Sequence, residues 1–326
     1  MPPTSPGLAE EHVLPDEAAT TAECIAFLKT VSARRHPAGV VRRFNQARHS
    51  GCVEGEFTVL DALPGDCRVG LFAEPRTYRA WIRFANASST SDREKDVRGM
   101  SIKLRGVAGE NLTPGATDHD FVLNSHPTMP VAGTREFLAL LQAMEAGGLR
   151  RLAYFVSHPG AARWGLAARR HHSCHLDIAY WSSTPYSFGP GRAVKYIVRP
   201  ISPRTSSLPD PLTDGYLRDA LAARLAHDEA AFDFMIQWQT DGRAMPIEDA
   251  SVEWRERDSS PVAVARLRIP SQRLDAAARE QACEQVAFNP WHCLAPHRPL
   301  GNMNRARREI YRAMAEFRLN ASSSTR

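Results

Sequence analysis

The sequence predicts an α+β fold: one domain built around an antiparallel barrel or sheet, with helices inserted between strands and a helix closing the chain. Three observations carry this. Short segments between about 50 and 125 alternate apolar and polar residues and are broken by Gly, Pro and Asp turns, the pattern of half-buried antiparallel strands. Many strands come first, helices are inserted after them, and a helix closes the chain, which is the order of elements of an α+β domain. No internal repeat is present, and a chain of 326 residues is long enough to bury a sizeable core.

The elements follow in order. Residues 1–20 are Pro-rich and acidic and read as a flexible leader, although helical spacing already runs from 17 to 34 through Ala18, Cys24, Phe27, Leu28 and Val31. A single domain is expected over 21–320, with a disordered tail at 321–326. "CVEGEFTVL" alternates around Val53, Phe57 and Val59, and "RAWIRFANA", "MSIKLRGV" and "HDFVLNS" read as three further strands. "TREFLALLQAMEAGG" is an amphipathic helix stopped by glycines. Residues 180–201 read as a hairpin turning at Gly189-Pro190-Gly191; residues 212–239 begin as a helix and end as a strand; "VAVARLRIP" is another strand. The last segment, 302–318, is a helix.

Composition narrows the function classes. The chain is 43% hydrophobic and 24% charged, with no apolar run of membrane-spanning length, so no membrane association is expected. A net charge of +5 from scattered basic residues gives no concentrated patch for nucleic acid. Six cysteines without a CxxC pair point to reduced thiols in a cytoplasmic protein. "HHSCHLD" (171–177) offers zinc-competent side chains but lacks a second ligand pair, so a polar loop is the expected reading. There is no nucleophile elbow, phosphate loop or HExxH motif.

The closing helix is the most informative stretch. In "RREIYRAMAEFR" (307–318), Arg307, Tyr311 and Arg318 fall within roughly 40° of one another at 100° per residue. Ile310, Met314 and Phe317 fill the adjoining sector, while Arg308, Glu309, Arg312 and Glu316 face the other way. Two readings fit this line: side chains snorkelling along apolar surface, or a phenol held as phenolate by the cation one turn before it and used as a ligand.

Three segments, "RFNQARHSGCVEGEFTV" (43–59), "WIRFANASSTSDREKDVRGMSIKLRGV" (81–107) and "NRARREIYRAMAEFR" (304–318), together resemble the catalases, and more closely their short haem-containing relatives, which include peroxidase-like and hydroperoxide-rearranging enzymes. The resemblance spans roughly 36–320. It implies a catalase-like antiparallel β-barrel with ferric haem b buried between the barrel and the C-terminal helix, and chains of this fold often assemble into homo-oligomers. It implies Tyr311 as the axial ligand to iron, a role Tyr fills in this enzyme class, with Arg307 stabilising its phenolate. Arg43, Arg83 and Arg318 match the positions that hold the haem propionates, a task suited to the guanidinium fork.

The distal side departs from the family. Its catalytic His position, three residues after Arg43, is Gln46; Arg48 two residues on keeps the register; the Ser that orients that His is Ala85; and the distal Asn falls near Thr117. Gln hydrogen-bonds but does not titrate, so it cannot shuttle the proton that peroxide cleavage needs. His49 is a substitute, but on an extended strand its odd offset from Gln46 turns it to the opposite face unless a bulge intervenes. The expected function is a haem enzyme, oxidoreductase or lyase/isomerase, acting on a hydroperoxide or another small-molecule substrate with weak or no catalase activity. The alternatives are a low-activity catalase-related peroxidase using His49 and a non-catalytic haem carrier or sensor.

Overall fold

The computed structural model describes residues 7–36, 41–46, 48–204, 206–274 and 283–323, with only the backbone of 321–323. Among the described residues nine strands form one antiparallel sheet: β1 (His49–Val59), β2 (Thr77–Asn86), β3 (Arg98–Leu104), β4 (His119–Asn124), β5 (Tyr180–Trp181), β6 (Tyr186–Ser187), β7 (Ala193–Pro200), β8 (Ala230–Trp238) and β9 (Val262–Ile269). Their order is β5-β4-β3-β2-β1-β9-β8-β7-β6, and β5 also pairs with β7. That second pairing closes eight of the described strands into a barrel and leaves the short β6 on its rim. Closure removes the exposed edges that an open sheet would present.

Alternation along each strand decides what fills the barrel. Val53, Phe57 and Val59 of β1, Ile82 and Phe84 of β2, Met100, Ile102 and Leu104 of β3, and Phe232, Phe234 and Ile236 of β8 all point inward and are buried. Phe121 and Phe234 meet at 4.6 Å between ring centroids and Phe57 and Phe234 at 5.0 Å, so the interior is a packed aromatic core, not a channel. His297 lies within this core, its Nε2 accepting the Leu71 N–H at 3.0 Å. The residues one step out of phase (Cys52, Arg83, Ser101, Lys103) therefore face outward, and that outer wall carries the site.

Six helices surround the barrel: α1 (Glu17–Arg35), α2 (Thr134–Ala146), α3 (Gly148–Ser157), α4 (Pro159–Ala168), α5 (Tyr216–Leu225) and α6 (Asn302–Ser323) among the described residues. The apolar stripe of α6 places Ile310 and Met314 against Cys24, Leu28 and Leu138 of α1 and α2. Arg305 fixes the start of α6 by pairing with Glu11 (2.7 Å), Glu17 (2.6 Å) and Glu248 (2.9 Å).

Several expectations need correction. The segment read as a flexible leader is tied down where it is described, because Glu11 also bonds Arg298 (2.6 Å) and the Gly301 N–H (2.9 Å); α1 starts at Glu17 inside that segment. The tail at 321–326 overlaps α6, which runs to Ser323, and 324–326 lie outside the described residues. The cysteines are not all reduced: Cys52 and Cys283 form a disulfide with Cα atoms 6.2 Å apart, while Cys24, Cys67, Cys174 and Cys293 are buried thiols. Spacing could not reveal a pair separated by 231 residues. Within "HHSCHLD", His175 is a buried structural histidine that bonds Ser50 Oγ (2.8 Å) and Tyr180 Oη (3.1 Å). No group of three or more metal-ligating side chains occurs among the described residues.

Candidate functional site

The site begins with a backbone feature. Gln46 precedes β1 and adopts a left-handed conformation, φ +57°, anchored by its N–H to the Ala87 carbonyl (2.8 Å). This turn lays the Gln46 amide over Gly99, where a methyl group would collide with Nε2. Glycine at 99 is thus the cradle that admits the side chain at 46. A register shift lies between His49 and Gly51 in the β1–β2 ladder. The strand-parity expectation for His49 therefore fails. Gln46 is not on the strand at all, and the bulge brings His49 to the same cluster.

Arg83 stands on the outer face of β2, opposite Cys52 and Ser101, and is only 1% exposed. It donates from Nη2 to the Gln46 carbonyl (2.7 Å) and from Nη1 to Gln46 Oε1 (3.4 Å). Burial, together with the Arg43 charge, pushes its pKa down to about 9, with Glu284 opposing. Arg43 donates to Glu284 Oε2 (2.9 Å) and to the carbonyls of Val286 (2.7 Å) and Cys283 (3.1 Å). Arg318, near the end of α6, donates to the Glu284 carbonyl. His49 Nε2 lies 3.3 Å from Glu284 Oε1.

Glu284 is thus the centre of the cluster, and the sequence reading missed it. Burial alone would raise its pKa, but Arg43, Arg83, His49 and Arg318 outweigh burial and hold the carboxyl below its usual value. Glu284 Oε1 accepts no hydrogen bond among the described residues, and Arg83 Nε is likewise without an acceptor. Three guanidiniums converge on one carboxylate. Arg43 pairs directly with that carboxylate, Arg83 Nη2 lies 3.7 Å from its Oε1 and Arg318 meets the backbone carbonyl, so this half-buried cluster holds more cations than carboxylates. The disulfide holds this arrangement in place, since Cys283 directly precedes Glu284 and Cys52 is the β1 residue opposite Arg83. Nothing in the run "CEQVAF" distinguishes Glu284 from a surface glutamate.

The second half of the site lies on α6. Arg307 Nη2 donates to Tyr311 Oη at 3.0 Å, and its Nη1 bonds Asn304 Oδ1 (3.1 Å) and Thr184 Oγ1 (3.3 Å). Burial would lower the Arg307 pKa, but the Tyr311 and Tyr186 oxygens outweigh it and hold the group above its ordinary value. Asn304 is fully buried and orients this network by donating to the Pro185 (2.8 Å) and Leu300 (3.0 Å) carbonyls. Seven residues separate Tyr311 from Arg318, about 10.5 Å along a helix axis. One helix therefore presents both the phenol–guanidinium pair and one wall of the carboxylate site.

Thr117 does not join either half. It is exposed, and its carbonyl accepts the Val107 N–H. Its neighbour Asp118 instead lines a cavity of about 210 Å³ with Lys103, Arg105, Val286 and His292. There Lys103 bonds both oxygens of the buried Asp120 (2.6 and 2.8 Å), and His292 Nδ1 lies 3.1 Å from Asp120 Oδ2.

This barrel has the architecture of the catalases. It superposes on a fungal catalase with a TM-score of 0.72 at 16% identity, covering 99% of this chain and 67% of that one. Catalase A of Saccharomyces cerevisiae gives 0.71 at 16% identity over 98% and 68%, and a bacterial catalase gives 0.69 at 15% over 98% and 64%. No family model matches the chain. In sequence it is 27% identical over 233 residues to a catalase-related peroxidase of Mycolicibacterium paratuberculosis, covering 66% of this chain and 69% of that protein. The chain therefore has the catalase fold and resembles a catalase-related peroxidase in sequence.

Proposed function

We propose that this protein is a catalase-like haem enzyme that turns over a hydroperoxide or a related small oxidised molecule, with little true catalase activity. The observation that carries the reading is that one helix joins two features: a phenol bonded by a half-buried guanidinium, and, through Arg318, an arginine cluster with more cations than carboxylates. The residues fit haem b. Tyr311 would be the iron ligand, and Arg43, Arg83 and Arg318 would hold the propionates. When bound, ferric haem would supply the redox-active iron at which a peroxide bond is broken.

The chain's own residues set which chemistry is favoured. Arg307, fixed by Asn304 and Thr184, orients the Tyr311 oxygen by donating to it. Gln46, fixed over Gly99, offers an amide that orients a bound oxygen but neither takes up nor releases a proton. Such a pocket suits a substrate that needs no proton shuttle for its bond to break, which favours an organic hydroperoxide over hydrogen peroxide. A second reading rests on His49, which the bulge delivers to the cluster. There it would act as an acid–base group in a low-activity peroxidase. The catalase-related peroxidase relative supports the coarser class, a catalase-like peroxidase, in both cases.

The visible spectrum of the purified protein, recorded before and after hydrogen peroxide and then an alkyl hydroperoxide, tests the proposal. A high-spin ferric Soret band that responds to the alkyl hydroperoxide, with slow oxygen release from hydrogen peroxide, is expected. No band after reconstitution with haem overturns it. A band without turnover of any hydroperoxide assigns the chain to haem carriage or sensing instead.

A further inference from the structure

Helices α3 and α4 present an unusual surface. Of the ten residues of α3, "GLRRLAYFVS", only Tyr154 is buried. Leu149, Leu152 and Val156 are 83%, 61% and 74% exposed, and α4 adds Leu166 at 84%. At 100° per residue, Leu149, Leu152 and Val156 lie within roughly 60° of one another, so they form one outward stripe. The inward side of α4 is fixed by Trp164, whose indole donates to the Thr128 carbonyl (3.1 Å). An amphipathic helix on a globular protein normally turns this face to the core. Here it faces solvent, and such contiguous apolar surface marks an interaction site.

Charge specifies what it meets. Between Glu145 and Asp177 the sequence has no carboxylate side chain, but it has Arg150, Arg151, Arg163, Arg169 and Arg170. Arg150, Arg151 and Arg163 are exposed. The flanking acids are already neutralised: Glu145 by Arg34 and Arg35 (2.5 Å each), and Asp177 by Arg224 (2.5 Å). The same face of a second copy would set arginine against arginine across a two-fold axis, which disfavours a homodimer here. On α3, Arg150 and Arg151 lie about 130° to either side of the centre of the apolar stripe, and exposed leucines flanked in this way match the interfacial zone of an anionic bilayer, where apolar side chains enter the acyl region and guanidiniums meet the headgroup phosphates.

We propose that α3 and α4 dock this protein peripherally on anionic lipid surfaces. This revises the expectation of no membrane association. No helix of the described residues is long and apolar enough to cross a membrane, whereas lying in the interface needs only this stripe and its charges. Nothing in the surface depends on the cofactor site.

Co-sedimentation of the full-length protein with vesicles of phosphatidylcholine, with and without phosphatidylglycerol, tests it, with gel filtration in parallel. Partitioning at least tenfold higher onto the anionic vesicles is expected, falling in 0.5 M salt. L152E/V156E, both on exposed positions, should return binding to the neutral-vesicle background with unchanged helix content. R150Q/R151Q should reduce the preference for anionic lipid while keeping residual apolar binding. Equal pelleting with both vesicle types, or binding unchanged in L152E/V156E, overturns the proposal. So does a dimer that L152E/V156E dissociates without any vesicle binding.

Discussion

At the scale of residues, the site separates into parts that sequence announces and parts it hides. The Arg307–Tyr311–Arg318 line is visible because a helix converts spacing into direction, whereas Arg43 and Arg83, one before β1 and one on β2, are reached only through the family resemblance. The structure brings the three arginines to one carboxylate. Glu284 stays hidden because its partners come from β2, α6 and the loop before β1, and no local pattern encodes that meeting. The roles are tested singly. Tyr311→Phe keeps the ring and removes the oxygen that Arg307 holds, so haem titration should show at least tenfold weaker binding and an altered Soret band; full occupancy with an unchanged spectrum removes Tyr311 as the ligand. Gln46→His places a titratable group over Gly99, and oxygen evolution from hydrogen peroxide should rise by about a hundredfold, the scale of general acid–base catalysis. If the rate does not move while haem stays bound, and His49→Ala is inactive, His49 is the acid–base residue.

At the scale of elements, period-2 alternation located the longer strands, and the helices α1, α2, α5 and α6 followed from their apolar spacing. Two features escaped. Helices α3 and α4 have an inverted exposure pattern, so burial logic gives them no inward stripe. The entry to β1 escaped because a left-handed residue and a bulge break the parity on which strand reasoning depends. The β1–β9 contact has little tolerance: a Cβ on Gly55 would lie 2.7 Å from the Arg268 carbonyl and 2.8 Å from Ile82 Cδ1. Gly55→Val should lower unfolding free energy in urea by about 1–3 kcal/mol through overpacking. A neutral result would mean that the strands separate there more easily than the packed interior implies. The disulfide acts between elements that sequence cannot associate, and Cys283→Ser should cost on the order of 2–5 kcal/mol, measured the same way under non-reducing conditions.

At the scale of the whole molecule, stability should depend on pH in two steps. Burial lowers His297 to about 4 and His172 to about 4 from 6.5, so the unfolded chain binds more protons than the native one between these values. Stability is therefore full above 6.5 and declines as pH falls toward 4; for His297, protonation also removes the acceptor of the Leu71 N–H. The second step comes from carboxylates. The Arg305 hydrogen bond is the main cause holding Glu17 at about 2 instead of 4.5, and Glu284 is also lowered, so both contributions are present above 4.5 and lost as pH falls below it. Thermal melts from pH 8 to pH 3 should show a decline that begins near 6.5 and steepens below 4.5. A melting temperature flat down to pH 5 contradicts the buried neutral histidines.

The resident carboxylate of the arginine cluster has one more consequence. A carboxylate that takes the Arg43 guanidinium displaces the one already paired with it, Glu284, so binding there is an exchange of one ion pair for another. The number of paired charges barely changes, and the screening by salt of the pair formed largely cancels that of the pair broken. Affinity at this site should then respond to ionic strength far less than three converging arginines suggest.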